Sequence, residues 1–228
     1  MCRASVGALL RLFVPLSVKV LLPLPLLILL ALPLTARAEP LILIVGDSIS
    51  AGFGVPVQQG WVALLQNSLQ QRVPGARVVN ASISGDTTGG GLTRLPALLQ
   101  QHQPDLTIIE LGGNDGLRGI PVRVIEKNLQ RMIMLSNQAN SDVLLLGMQI
   151  PPNYGARYAS AFRDVFSQLA TQHNTLLLPF LLEGITTRPE LMQADGIHPT
   201  AAAQPLMRDA VLAVLNNWLE PHLSSNGN

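Results

Sequence analysis

Cysteine is almost missing from this chain: its 228 residues include only Cys2. That excludes an internal disulfide framework and any cysteine-based metal centre. Histidine is scarce too, and His102, His173, His198 and His222 are too scattered to read as a zinc cluster. No carboxylate cluster resembles a calcium or magnesium loop, so no metal and no other cofactor is expected. Aromatic residues make up only 4% of the chain, which leaves little surface for stacking sugars. Charged residues are sparse at 13%, and no basic stripe is present to track nucleic acid or an anionic membrane surface.

What the chain does have begins with an apolar leader. Arg3, Arg11 and Lys19 precede an uncharged run from Val20 to Leu34, and Thr35-Ala36-Arg37-Ala38 follows with small residues at signal-peptidase spacing. The run is shorter than the roughly 20 residues a spanning helix needs, and Pro23, Pro25 and Pro33 interrupt it. Residues 1–38 are therefore expected to be a signal peptide cleaved after Ala38, and 39–228 a single domain, periplasmic or secreted, with no stable membrane insertion. An uncleaved anchor is the alternative. Cleavage removes four basic residues and no acidic ones, so 11 Lys and Arg then face 14 Asp and Glu, a net charge of −3. Cys2 leaves with the leader, and a chain without disulfides must be held by its core.

Beyond Glu39 the pattern alternates. Leu41–Val45 is apolar at every position, as strands covered on both faces are. Ala76–Ala81, Leu106–Leu111, Val143–Met148 and Leu176–Phe180 are the other candidate strands. Helical periodicity falls on Gly60–Arg72, Leu92–His102, Val122–Asn140, Ser160–His173 and Ala201–Leu219. Strand and helix in alternation predict an α/β fold with a five-stranded parallel sheet wound on both faces by right-handed crossovers. Ligands of such sheets bind outside the carboxyl ends of the strands.

Four short segments fall on that rim: Gly46-Asp47-Ser48, Ser84-Gly85-Asp86, Gly112-Gly113-Asn114-Asp115 and Asp195-Gly196-Ile197-His198. Ser48 follows the first strand, where its hydroxyl can project into the rim beside free backbone N–H groups. Asp47 or Ser48 could equally just cap a helix there. Ser50 stands in place of the second glycine of Gly-x-Ser-x-Gly, so this is not an α/β-hydrolase elbow. Asp195 and His198 can share a turn in which the carboxylate holds one imidazole nitrogen and leaves the other for a serine. The same loop, closed by Pro199, also serves as entry to the last helix. Gly112–Asp115 reads as a turn, from which Asn114 can offer its amide to an oxyanion. Gly85 and Ser48 can add backbone N–H groups; the alternative reading of Gly85 is a backbone position that needs positive φ. Asp47, Asp86 and Asp115 read as turn-formers, Ser50 and Ser84 as structural hydroxyls, and His102, His173 and His222 as surface residues.

With those residues in place, the chain resembles the SGNH (GDSL-type) hydrolases. The name-giving residues are Ser48, Gly85, Asn114 and His198. Val79–Thr87, Leu95–Leu99, Glu110–Gly119, Pro152–Gly155 and Gln193–Pro199 are similar to the exported bacterial branch with esterase, thioesterase, protease and lysophospholipase activities. The resemblance implies a flavodoxin-like three-layer α/β/α fold. It also implies a catalytic set of Ser48, Asp195 and His198, with an oxyanion hole from Ser48, Gly85 and Asn114. Apolar Ile83, Leu117, Ile150 and Pro151 are expected to bind the acyl chain of a small ester, thioester or lysophospholipid, in a monomer with no nucleic-acid partner. A carbohydrate O-deacetylase of the same family and a non-catalytic periplasmic binding protein are the competing readings. The scarcity of aromatics disfavours the first. A binder needs no base beside a serine, which disfavours the second.

Overall fold

A computed structural model describes residues 39–223. The leader and its cleavage site, 1–38, lie outside the described residues. Five strands form one parallel sheet: β1 (Leu41–Gly46), β2 (Arg77–Asn80), β3 (Leu106–Glu110), β4 (Asp142–Leu146) and β5 (Leu176–Leu178), in the order β2-β1-β3-β4-β5. The register pairs Ile44 with Asn80 on one side of β1 and with Ile108 on the other.

Alternation along each strand sends side chains to opposite faces, and the two faces carry separate cores. Ile42, Ile44, Leu106, Ile108, Leu144 and Leu146 pack with Trp61, Leu65 and Leu69 of α2 (Trp61–Arg72) and with Met207, Val211 and Leu215 of the last helix. Leu43, Val45, Ile109, Val143 and Leu145 pack on the other face. Their partners come from α3 (Thr88–His102), α5 (Val122–Gln138) and α6 (Ala156–His173). The three-layer α/β/α architecture expected from the sequence is therefore present. Two further helices are short, α1 (Ser48–Ala51) and α4 (Gly113–Leu117), and α7 runs from Gln204 to Leu223.

The differences from the sequence reading have local causes. Gly112–Asp115 is not a simple turn; Gly112 caps α4 and the rest enters its first turn. Helix α3 starts at Thr88 rather than Leu92 despite three successive glycines, because tertiary partners hold its first turn. Thr87 Oγ1 accepts the Gly90 N–H, and buried Asp115 accepts both the N–H and the hydroxyl of Thr88. Strand β5 stops at Leu178 because Pro179 has no N–H to continue the ladder. The segment expected as one helix from Ala201 opens with a 3-10 turn, Ala201–Ala203, before α7.

Candidate active site

The site lies where the sheet topology puts it, at the carboxyl end of β1. Its first element is α1, a single turn begun by Asp47, whose Oδ1 accepts the Ile49 N–H at 3.0 Å. Ser48 is the first residue of that turn, so its N–H has no intrahelical acceptor. Both readings of Gly46-Asp47-Ser48 are thus realised: Asp47 caps, and Ser48 faces the rim.

His198 arrives from a loop 150 residues away, with Nε2 2.8 Å from Ser48 Oγ. Its Nδ1 lies 2.6 Å from Asp195 Oδ2, while Asp195 Oδ1 accepts the N–H groups of Ile197 and His198 at 2.9 and 3.0 Å. The His198 N–H and then its ring hold the Asp195 carboxyl down at about 2. An ionised Asp195 makes Nδ1 the protonated nitrogen, which leaves Nε2 with a lone pair toward the serine. The loop itself is pinned. Gln193 donates its N–H to the His198 carbonyl, and its amide Nε2 donates to the Phe53 and Pro199 carbonyls.

Asn114, on the first turn of α4, donates its side-chain N–H to Asp47 Oδ2 at 3.1 Å. One amide hydrogen is thereby held by Asp47. Gly85 sits on the exposed loop after β2 at φ +81°, a conformation that suits glycine, and Ile83 in the same loop donates to the Gly46 carbonyl. Asp86 of this loop pairs with Arg94, whose guanidinium also reaches the carbonyls of Ala81 and Gly46. The loops after β1 and β2 are thus tied to each other. The arrangement can deprotonate a serine.

The apolar candidates divide. Ile83 is 53% exposed at the rim, Pro151 is exposed and Leu117 is half-buried at the end of α4. Ile150 is corrected to a core residue: it is 7% exposed and packs against Gly116 and Phe162 from beneath α4. Sequence reasoning missed Phe53, half exposed, whose ring lies 4.4 Å from the His198 ring between centroids. It also passed over Asp47 as more than a turn-former, and over Glu110. The sequence signal for Glu110 was an acid near the end of a largely aliphatic strand. Ser50 is buried as a structural hydroxyl, His102 is half-buried, and His173 touches Gln130 Nε2 at 3.3 Å. No metal-binding cluster of His, Cys, Asp or Glu occurs among the described residues. No described helix is long and apolar enough to cross a membrane.

Comparison with known proteins agrees with this geometry. Residues 44–205 match the GDSL-like Lipase/Acylhydrolase family, a span holding all four segments. The chain is 52% identical over 182 residues to esterase TesA of Pseudomonas aeruginosa, covering 80% of this chain and 90% of that protein. It is 46% identical over 174 residues to thioesterase 1/protease 1/lysophospholipase L1 of Escherichia coli, covering 76% and 82%. The crystal structure of the psychrotrophic esterase EstA from Pseudoalteromonas, inhibited by monoethylphosphonate, superposes with a TM-score of 0.76 at 43% identity, covering 79% of this chain and 99% of that one. The chain belongs to the GDSL-like lipase/acylhydrolase family and is an ester-cleaving hydrolase.

Proposed function

We propose that this enzyme cleaves carboxylic esters and thioesters of apolar acyl groups, lysophospholipids among them, through an acyl-enzyme on Ser48. The observation that carries the reading is the continuous hydrogen-bonded chain from Ser48 Oγ through His198 to Asp195. As Ser48 Oγ bonds to the substrate carbonyl carbon, its proton passes to His198 Nε2 and the carbonyl oxygen takes the negative charge. The amide of Asn114 and the N–H groups of Ser48 and Gly85 stabilise that oxyanion. Collapse expels the alcohol or thiol, which takes the proton from His198. Water then repeats the sequence, with His198 as base, and releases the acid.

Exposed Phe53, Ile83 and Ile197 favour an acyl chain over a sugar at the rim. The names of the relatives point to the same substrates. The leader at 1–38 supports export, and after its removal the enzyme acts as a monomer in the periplasm or outside the cell.

The test is intact-mass labelling by an organophosphonate beside a series of p-nitrophenyl esters. The wild type should label once and Ser48→Ala not at all, and rates should rise from acetyl to medium chains, each buried CH₂ contributing up to about 0.8 kcal/mol. Labelling that persists in the variant refutes the nucleophile. A strict preference for acetyl groups refutes the acyl-chain reading.

A further inference from the structure

Beneath the serine lies a carboxyl group that the catalytic sequence does not use. Glu110 ends β3 and is 1% exposed. Its Oε2 accepts the Asp47 N–H at 3.2 Å and the Ser50 hydroxyl at 2.7 Å, so one oxygen holds residues on both sides of Ser48. Its Oε1 is buried without a protein partner. Gly46 makes the approach possible, since a Cβ there would meet Glu110 Oε2 at 2.7 Å and Ser50 Cβ at 2.8 Å.

Among the described residues no cation compensates this acid. The neighbouring guanidinium of Arg94 is spent on Asp86 and on the carbonyls of Ala81 and Gly46. The charged group that acts on Glu110 is Asp47, from the turn after β1. Asp47 in turn faces Asn114 from α4, His198 from the loop before α7 and Asp86 from the loop after β2. Burial first, and the Asp47 charge second, push the Glu110 carboxyl well above its usual range.

We propose that Glu110, in its uncharged form, is a positioning residue for the oxyanion hole: it clamps the turn that carries Ser48 and leaves Asp47 free to hold the Asn114 amide as a pure acceptor. The inference rests on the oxyanion role given to Asn114 and Ser48 above. An ionised Glu110 would drive a proton onto Asp47. A protonated Asp47 could then donate to Asn114, whose amide would turn its carbonyl oxygen, rather than its N–H, toward the developing negative charge. A neutral Glu110 avoids that reversal and still accepts both donors.

Glutamine keeps the acceptor and cannot ionise. Aspartate falls one methylene short of the turn, and leucine removes the acceptor. With p-nitrophenyl butyrate and the full chain, Glu110→Gln should keep kcat within about threefold of the wild type. Glu110→Leu and Glu110→Asp should each lower kcat roughly a hundredfold with KM little changed, as displacement of a reacting group by about 1 Å does. If the leucine variant does not fold, the aspartate variant decides. A glutamine variant as damaged as the other two shows that the charge is needed and overturns the inference. So does a normal kcat in a folded aspartate or leucine variant. Asn114→Ala, run alongside, separates the two ideas. If it leaves kcat unchanged, the oxyanion reading itself fails. If it lowers kcat while Glu110→Leu and Glu110→Asp do not, only the role of Glu110 fails.

Discussion

Asp47→Asn measures what it costs to keep a second carboxyl under the nucleophile turn. Burial, chiefly, raises the Asp47 carboxyl from 3.8 to about 6, against the lowering effects of the Ile49 N–H, Asn114 and His198. Two units correspond to about 3 kcal/mol. The raised value fixes the sign. Below about pH 4 the group is protonated in both folded and unfolded chains, and it carries no penalty. As pH rises through about 6, the folded chain must ionise a buried group that the unfolded chain ionised earlier, so stability is lost. Asparagine removes this dependence yet can still cap α1 through its side-chain oxygen. Losing the Asp47 charge also eases ionisation of Glu110 at higher pH, which widens the difference in the same direction, so the comparison is best confined to pH 4–7. Urea unfolding of both proteins across that range should show the wild type losing about 3 kcal/mol relative to the variant. With a slope near 2 kcal/mol per molar urea, that is a relative midpoint shift of about 1.5 M. Parallel stability curves would refute the buried, proton-hungry Asp47. The variant should also lose activity, because two amides then oppose each other where Asp47 held Asn114.

Asn114→Ala should lower kcat roughly a hundredfold and KM far less, because its donor is needed most when the oxyanion forms; a change confined to KM in steady-state kinetics counts against it. Asp195→Asn should cut kcat by removing the acceptor that orients the His198 ring, whereas His102→Ala and His173→Ala should keep near-normal rates on p-nitrophenyl esters. In the wild type kcat/KM should rise with pH along one acid limb, because the base must be uncharged to take the serine proton, while Asp195, held near 2, stays ionised throughout; a flat profile speaks against a general base.

Much of this protein was legible before any coordinate. A strand apolar at every position must be covered on both faces, so Leu41–Val45 announced a parallel sheet between helices. Parallel strands all end on one rim, and that placed Ser48, Gly85, Asn114, Asp195 and His198 together from topology alone. Sequence could do this because periodicity and chain direction are local properties. What it could not decide depended on distance in space. Whether Ile150 faces a groove or the core turned on its contact with Gly116 and Phe162, and the helical start at Thr88 turned on a remote Asp115. Phe53 gained its place from lying over His198, 145 positions along the chain. Asp47 and Glu110 each look like ordinary polar residues at an element's end. Only the closed fold removes water from both, and burial rather than residue type is what raises a carboxyl. The sequence by itself determined the sheet, its rim and the chemical groups upon it, whereas the tertiary structure decided which acids lost their solvent and which side chains hold the others in aim.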